Sequence, residues 1–316
     1  MPGSAFSMAH GPVSRPVMRR RRPGLILAVL AALLAGCAGP GPRLDHSLSA
    51  VGQSSRVKFI VIHYTVSNLP SSIKILTQRQ VSSHYLLTDT VPPFSYVLVD
   101  ESQRAYHAGV SNWKSYSNLN SSSIGIEIVN PGYTDTPQGR RWYPFPQAQI
   151  DQLIVLLKDI VARHGVNPDD ILAHSDIAPQ RKSDPGPLFP WPQLAAAGLV
   201  TWPDAGRVAG ARTVFEQQLP DLAWFQQRLE RHGYTVPHTG EFDAATHNVI
   251  IAFQMKYRQA VFDGKPDAET AALLYVLTSP AQAGPPPLPA PVLTTMPVFV
   301  PVSTPLPTPD GILLQE

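Results

Sequence analysis

The sequence predicts an α/β or α+β domain followed by a small helical one, and three observations carry that prediction. Between Arg56 and about Trp202, short apolar runs alternate with a long amphipathic stretch, so strands are mixed with helix. From about Phe215 to Thr278, helical patterns flank two loosely similar segments, "GYTVPHTGEFDAAT" and "DGKPDAETAALLYVL". Both ends differ in texture: the front is basic and then apolar, and the chain from Ser279 onward is rich in Pro and poor in charge.

Taken in order, the leader comes first. Arg19 to Arg22 form a basic cluster, Leu25 to Ala35 are almost purely apolar, and "LAGC" ends the run at Cys37. This is the layout of a signal peptide. The apolar run is about a dozen residues, short of the ~20 that span a bilayer as a helix; a short membrane anchor or a buried core helix is the alternative. Met8 or Met18 could serve as the start in place of Met1. Cys37 is the only Cys in the chain, so no intramolecular disulfide can form. The leader before Cys37 carries five of the 25 basic residues and no acidic one. The remainder has 20 basic against 23 acidic residues, a formal charge of −3, which gives no electrostatic case for nucleic acid.

Residues 38 to about 54 are Gly, Pro, Ser and polar residues, and read as a tether. "VKFIVIHY", rich in β-branched residues, predicts a buried strand, and "SYVLVD" another. In "SIGIEIV", Ile124, Ile126 and Ile128 fall on one face and Gly125, Glu127 and Val129 on the other. Residues 147 to 164 place Ile150, Leu153, Ile154, Leu157, Ile160 and Val161 at helical spacing, with Gly165 as the stop. "ILAH" is a short strand. Asp243 and Asp267 stand where helix N-terminal residues belong. The Pro-rich tail cannot bury a core and is expected to be extended. The change of texture near residue 205 predicts that residues 50 to 205 fold alone.

The candidate chemistry sits at strand ends. His63 closes one strand and His174 another; Asp184 follows in a Pro-bound loop. Two imidazoles and a carboxylate are a common catalytic zinc set that leaves one position open. The Pro-rich run would hold Asp184 with little ordering cost. Glu127, a carboxylate among Ile residues, fits a general base for an attacking water and an acid for the leaving amine. Lys182, two residues before Asp184, can aim at the same place and stabilise an oxyanion. Each residue also has a bland alternative: a structural His at a strand end, a turn at Asp184-Pro185-Gly186, a solvent-facing Glu127.

"FIVIHYT", "SSHYLL", "AYHAGVSNW", "SIGIEIVNPG" and "ILAHSDIAPQRKSDPGPLFPW" together resemble the zinc-dependent N-acetylmuramoyl-L-alanine amidases of the type-2 amidase superfamily, which includes the peptidoglycan recognition proteins. The resemblance covers about residues 56 to 200. It implies an α/β fold, with a mixed β-sheet flanked by helices. It puts His63, His174 and Asp184 at the Zn2+ ligand positions, Glu127 at the catalytic acidic position and Lys182 at the catalytic basic one. His84 and His107 match positions that line the substrate site. "TDTVPPFSYVLVDESQ" departs from the family pattern, lacking its DG turn and lengthening the spacer to Glu127. "WFQQRLERHGY", "TGEFDAAT", "AFQMKYR" and "FDGKPDAETAALL" resemble a three-helix peptidoglycan-binding domain. "LAGC" resembles the bacterial lipobox, which implies lipidation of Cys37 and, with Ala38 following, the outer membrane.

The implied order of parts is a signal peptide over 1–36, a tether over 37–54, a catalytic domain over 55–204, a peptidoglycan-binding domain over 212–278 and a disordered tail over 279–316. The implied protein is a periplasm-facing outer-membrane lipoprotein, monomeric, acting on peptidoglycan or muropeptides with intact or 1,6-anhydro sugar. It would hydrolyse the amide between N-acetylmuramic acid and L-alanine. The rival reading is a non-catalytic peptidoglycan-binding module of the same superfamily. Such modules typically lack a metal ligand, and here Asp184 is present. A zinc peptidase cutting within the stem peptide is a third reading that the motif set disfavours.

Overall fold

The computed structural model describes residues 41–286; Cys37, the leader and most of the Pro-rich tail lie outside the described residues. The chain divides after Gln53. Residues 41–53 are exposed and form no helix or strand.

From Ser54 on, a five-stranded sheet is built in the order β3-β2-β6-β1-β9. Its members are β1 (Phe59–Tyr64), β2 (Tyr85–Leu87), β3 (Ser95–Val97), β6 (Ser123–Ile128) and β9 (Ile171–Ala173). β1 pairs in parallel with both β6 and β9, β2 pairs in parallel with β6, and β3 closes the edge antiparallel to β2, so the sheet is mixed. Two small hairpins, β4 (Asn112–Trp113) with β5 (Tyr116–Ser117) and β7 (Tyr133–Thr136) with β8 (Gly139–Trp142), stand off it. Of the expected strand "SYVLVD" only Ser95–Val97 pairs, and it does so as an exposed edge.

Helix α1 (Leu69–Gln78) is capped by Asn68, whose side chain accepts from Ser71 N–H at 3.0 Å. Helix α2 (Gln147–His164) ends at Gly165 with φ 68°, the left-handed stop that the sequence signals. Its buried Ile150, Leu153, Leu157 and Ile160 join one core with Ile60 and Ile62 of β1 and the three Ile residues of β6. A strand's side chains alternate, so Phe59 and Val61 leave from the opposite face. Two short helices follow, α3 (His174–Ile177) and α4 (Trp191–Ala196).

The C-terminal part holds four helices: α5 (Ala205–Gln217), α6 (Leu222–His232), α7 (Ala244–Tyr257) and α8 (Ala268–Thr278). Helix α5 begins at Ala205, seven residues before the expected start of the second domain at 212. Its weak amphipathic signal hides it in the sequence; Ala211 and Phe215 are its only buried residues. The two loosely similar segments prove to be the same hydrogen-bonded device. Gln226 accepts Gly240 N–H and donates to Thr246 Oγ1; Gln254 accepts Gly264 N–H and donates to Thr270 Oγ1. Asp243 and Asp267 cap the helices that follow, at 2.7 and 2.9 Å from the N–H of Thr246 and Thr270.

These helices are not a free appendage. Phe59, Val61 and Leu172 of the sheet belong to one continuous cluster with Trp113, Phe225 and Phe253. Trp113 stacks edge-on to Tyr234 at 5.0 Å, and Lys114 N–H donates to Gly233 O at 2.7 Å. Gly233 has φ 137°, and a Cβ there would meet the Trp113 ring at 2.6 Å, so only Gly lets the two parts approach so closely. This packing argues against independent folding of residues 50 to 205. A fragment of those residues uncovers the Phe59/Val61 face, and large exposed apolar patches drive association. It is expected to aggregate or to lose a cooperative thermal transition, measured by circular dichroism and sedimentation. A monomeric fragment that unfolds cooperatively at the temperature of the full chain contradicts this.

Candidate metal centre

Parallel pairing puts the candidate residues level with one another. His63 lies opposite Glu127 in the β1–β6 register, and Ala173 lies opposite Ile62, which brings His174 beside His63. All three stand at the carboxyl ends of parallel strands, where open α/β sheets place their sites. Asp184 joins them from the loop after α3, because Ser175 N–H donates to Asp184 O at 3.0 Å.

The result is a compact buried triad. His63 Nδ1 lies 2.9 Å from His174 Nδ1, and each lies 3.0 Å from Asp184 Oδ2. Hydrogen bonds behind the rings decide what these atoms offer. Ala108 O can only accept, so His174 Nε2 carries its proton toward it at 3.1 Å. Ser123 gives its hydroxyl proton to Leu119 O at 2.6 Å and therefore accepts from His107 Nε2 at 3.1 Å. The neutral His107 ring then accepts from His63 Nε2–H at Nδ1, 3.0 Å away. Burial holds His174 down at about 4 and His107 well below its usual range, so both rings are neutral. Each ligand candidate thus turns a lone pair inward.

Three acceptors within 3.0 Å of one another repel unless a cation sits among them. Their separations approach the ~3.3 Å edge of a tetrahedron with bonds of about 2.0 Å. His63, His174 and Asp184 could therefore hold a metal ion. The triad opens into a cavity of about 440 Å³, which Glu127, Lys182, Tyr133 and His107 also line. Glu127 Oε2 is shielded from water and makes no hydrogen bond. Burial raises its carboxyl to about 7, with Asp184 adding to the rise and His63 and Lys182 opposing it.

His84 sits elsewhere than expected. It is fully buried and does not line the cavity. Its Nδ1 accepts Gly125 N–H at 3.0 Å and its Nε2 faces Gln103 O and Arg56. It supports the floor under His107, whose ring it meets edge-on at 5.8 Å. His107 lines the cavity and also backs His63. Gly125 makes room for it: a Cβ at that position would lie 2.4 Å from the His107 ring. Ser123, Gly125 and the Ala108 carbonyl escaped sequence reasoning. Gly125 alone left a trace, as the one residue without a side chain in the strand "SIGIEI".

The geometry agrees with what the chain is similar to. Residues 53–187 match the N-acetylmuramoyl-L-alanine amidase family model, and residues 218–274 match a peptidoglycan binding domain model. The N-acetylmuramoyl-L-alanine amidase AmiD of Escherichia coli is 43% identical over 264 residues, covering 79% of this chain and 95% of its own. The structure of AmiD from E. coli with anhydro-N-acetylmuramic acid-L-Ala-D-gamma-Glu-L-Lys superposes with a TM-score of 0.68 at 42% identity, covering 75% of this chain and 94% of that one. AmpDh3 from Pseudomonas aeruginosa gives a TM-score of 0.70 at 37% identity, covering 75% and 97%. With the fold, the triad and these likenesses in agreement, the chain belongs to the N-acetylmuramoyl-L-alanine amidase family.

Proposed function

We propose that this protein hydrolyses the amide between the lactyl group of N-acetylmuramic acid, intact or 1,6-anhydro, and the L-alanine of the stem peptide. The observation that carries this is the inward-facing triad with the unpartnered Glu127 oxygen beside it in one cavity. His63, His174 and Asp184 would hold a Zn2+ ion, which when bound would supply Lewis acidity toward the scissile carbonyl and the attacking water. Glu127, as a carboxylate, takes a proton from the attacking water and returns it to the departing amine of L-alanine. Lys182 lines the same cavity and faces the oxyanion that develops on the carbonyl. His107 keeps the proton of His63 on Nε2, turned away from the metal position.

The remaining assignments follow the order of parts. A lipid on Cys37 anchors the chain to the outer membrane, residues 38–54 tether it, and the helical part from Ala205 to Thr278 holds peptidoglycan in the periplasm. The enzyme acts as a monomer in wall turnover or recycling. A purely binding role is disfavoured because Asp184, Glu127 and Lys182 are all present at the cavity.

Two tests separate these roles. In the first, zinc content is measured beside the mass-spectrometric cleavage of defined muropeptides. Asp184→Ala is expected to lose both zinc and activity. Glu127→Gln and Lys182→Ala are expected to keep zinc and the fold, losing about 10²–10⁴ in turnover for proton transfer and about 10²–10³ for one oxyanion donor. The wild type should lose activity as pH falls and Glu127 is protonated, with a midpoint below about 7 because a bound dication favours the carboxylate. A full zinc complement in Asp184→Ala, or cleavage within the peptide, overturns the assignment. In the second, Gly125→Ala drives a methyl group into the His107 ring. It is expected to weaken zinc binding by about 10–100-fold, as for loss of a partner behind a ligand. Unchanged zinc affinity would show that His107 does not govern His63.

A further inference from the structure

We propose that the C-terminal helices are a working part of the metal site, because Lys256 and Tyr234 clamp Asp176 and thereby position the turn that carries His174. The proposal rests on the reading of His63, His174 and Asp184 as metal ligands.

Asp176 is the third residue of α3, which begins at His174. Its Oδ2 accepts the N–H of Ala173, the residue just before His174, at 2.8 Å. The same oxygen meets Lys256 Nζ at 2.9 Å, and Oδ1 accepts from Tyr234 OH at 2.6 Å. Lys256 Nζ also donates to Ile171 O at 3.1 Å, on the strand that leads into His174, and lies 4.5 Å from the centre of the Trp191 ring. The two charged side chains are 4% and 0% exposed. Neither Lys256 nor Tyr234 lines the cavity, so the chemistry does not account for them.

The clamp therefore grips β9 at Ile171, the junction at Ala173 and the turn at Asp176. His174 lies between the last two. The following residue, Ser175, donates its N–H to Asp184 O, which couples a second ligand to the same turn. A buried ion pair is a weak source of stability, and apolar side chains would join the two parts as well. What the pair and the Tyr hydroxyl add is direction: rotating or sliding α3 breaks three charge-assisted bonds at once. Ligands held in this way keep their lone pairs aimed at the metal without rearrangement. Lys256, Tyr234 and Asp176 are positioning residues, and two of them come from the part that resembles a wall-binding module.

The test is zinc affinity, by chelator competition on the full chain from Cys37 on, beside kcat, KM and thermal unfolding. Lys256→Met should weaken zinc binding by about 10–100-fold, and Tyr234→Phe by less, with kcat falling more than KM rises. Gln259→Ala removes another bond across the same interface, to Phe189 O at 2.6 Å, and should lower stability while leaving zinc affinity unchanged. Asp176→Asn combined with Lys256→Met should recover most of the affinity, since a neutral amide can accept from Ala173 N–H and donate to Tyr234 OH. If Lys256→Met does not fold, Tyr234→Phe and the double variant decide. Wild-type zinc affinity in folded Lys256→Met or in Tyr234→Phe, no recovery in the double variant, or an equal loss in Gln259→Ala overturns the positioning role. Absence of zinc from the wild type would instead sink the reading of the triad.

Discussion

Three lone pairs, on His63 Nδ1, His174 Nδ1 and Asp184 Oδ2, converge within 3.0 Å in a buried place. Left to themselves such groups would take up a proton or swing apart, because like partial charges in a low-dielectric site repel strongly. The surrounding structure prevents both. The carbonyl of Ala108 and the relay through His107 and Ser123 put each imidazole proton on the far nitrogen. The Ser175–Asp184 backbone bond and the Pro-bounded loop hold the carboxylate in place. The parallel register of β1 with β6 and β9 sets the ligands and Glu127 side by side. A dication at the focus would turn this unfavourable arrangement into a favourable one, with Glu127 standing beside it as a carboxyl that burial raises to about 7.

The same constraint explains why the helical part packs so intimately. The strand face that carries Phe59 and Val61 packs into a cluster that takes in Ile177 of α3 and reaches Phe225 and Phe253 of the C-terminal helices. The part that matches a peptidoglycan binding domain model and the sheet that carries the metal centre are thereby built on one core. A hinge between them is not expected, since large apolar interfaces suppress relative domain motion. The C-terminal helices and the cavity keep a fixed relation, in contrast to modules joined by a flexible linker.

Much of this was legible in the chain. β1 and α2 are periodic and strongly apolar, and Gly165 stops its helix where a left-handed residue is needed. The Asp243 and Asp267 caps were readable because a short side chain ahead of a helix has one obvious use. His63, His174, Asp184, Glu127 and Lys182 could be singled out because charged residues at strand ends or in a Pro-stiffened loop need a reason. Legibility failed where partners are distant in sequence or are backbone atoms. Nothing in "AYHAGV" says that Ala108 offers its carbonyl to His174, and nothing near Ser123 announces the relay through His107. The family resemblance puts His84 at a position that lines the substrate site, yet its ring is spent on Gly125 and the floor of the sheet. Asp176 was hidden in "HSD" as an ordinary first-turn acid, since its partners Tyr234 and Lys256 lie 58 and 80 residues away. Helix α5 was missed because only Ala211 and Phe215 mark its buried side.

The central claim is that two imidazoles and one carboxylate of this chain hold the metal, with the fourth position open. X-ray absorption at the zinc K-edge, on the full protein loaded with one equivalent of zinc, tests this most directly. The account predicts a four-coordinate shell of nitrogen and oxygen at about 2.0–2.2 Å, containing two imidazoles and no sulfur. It further predicts that the imidazole signal halves in His174→Ala. A six-coordinate oxygen shell, or a spectrum unchanged by that substitution, would contradict it.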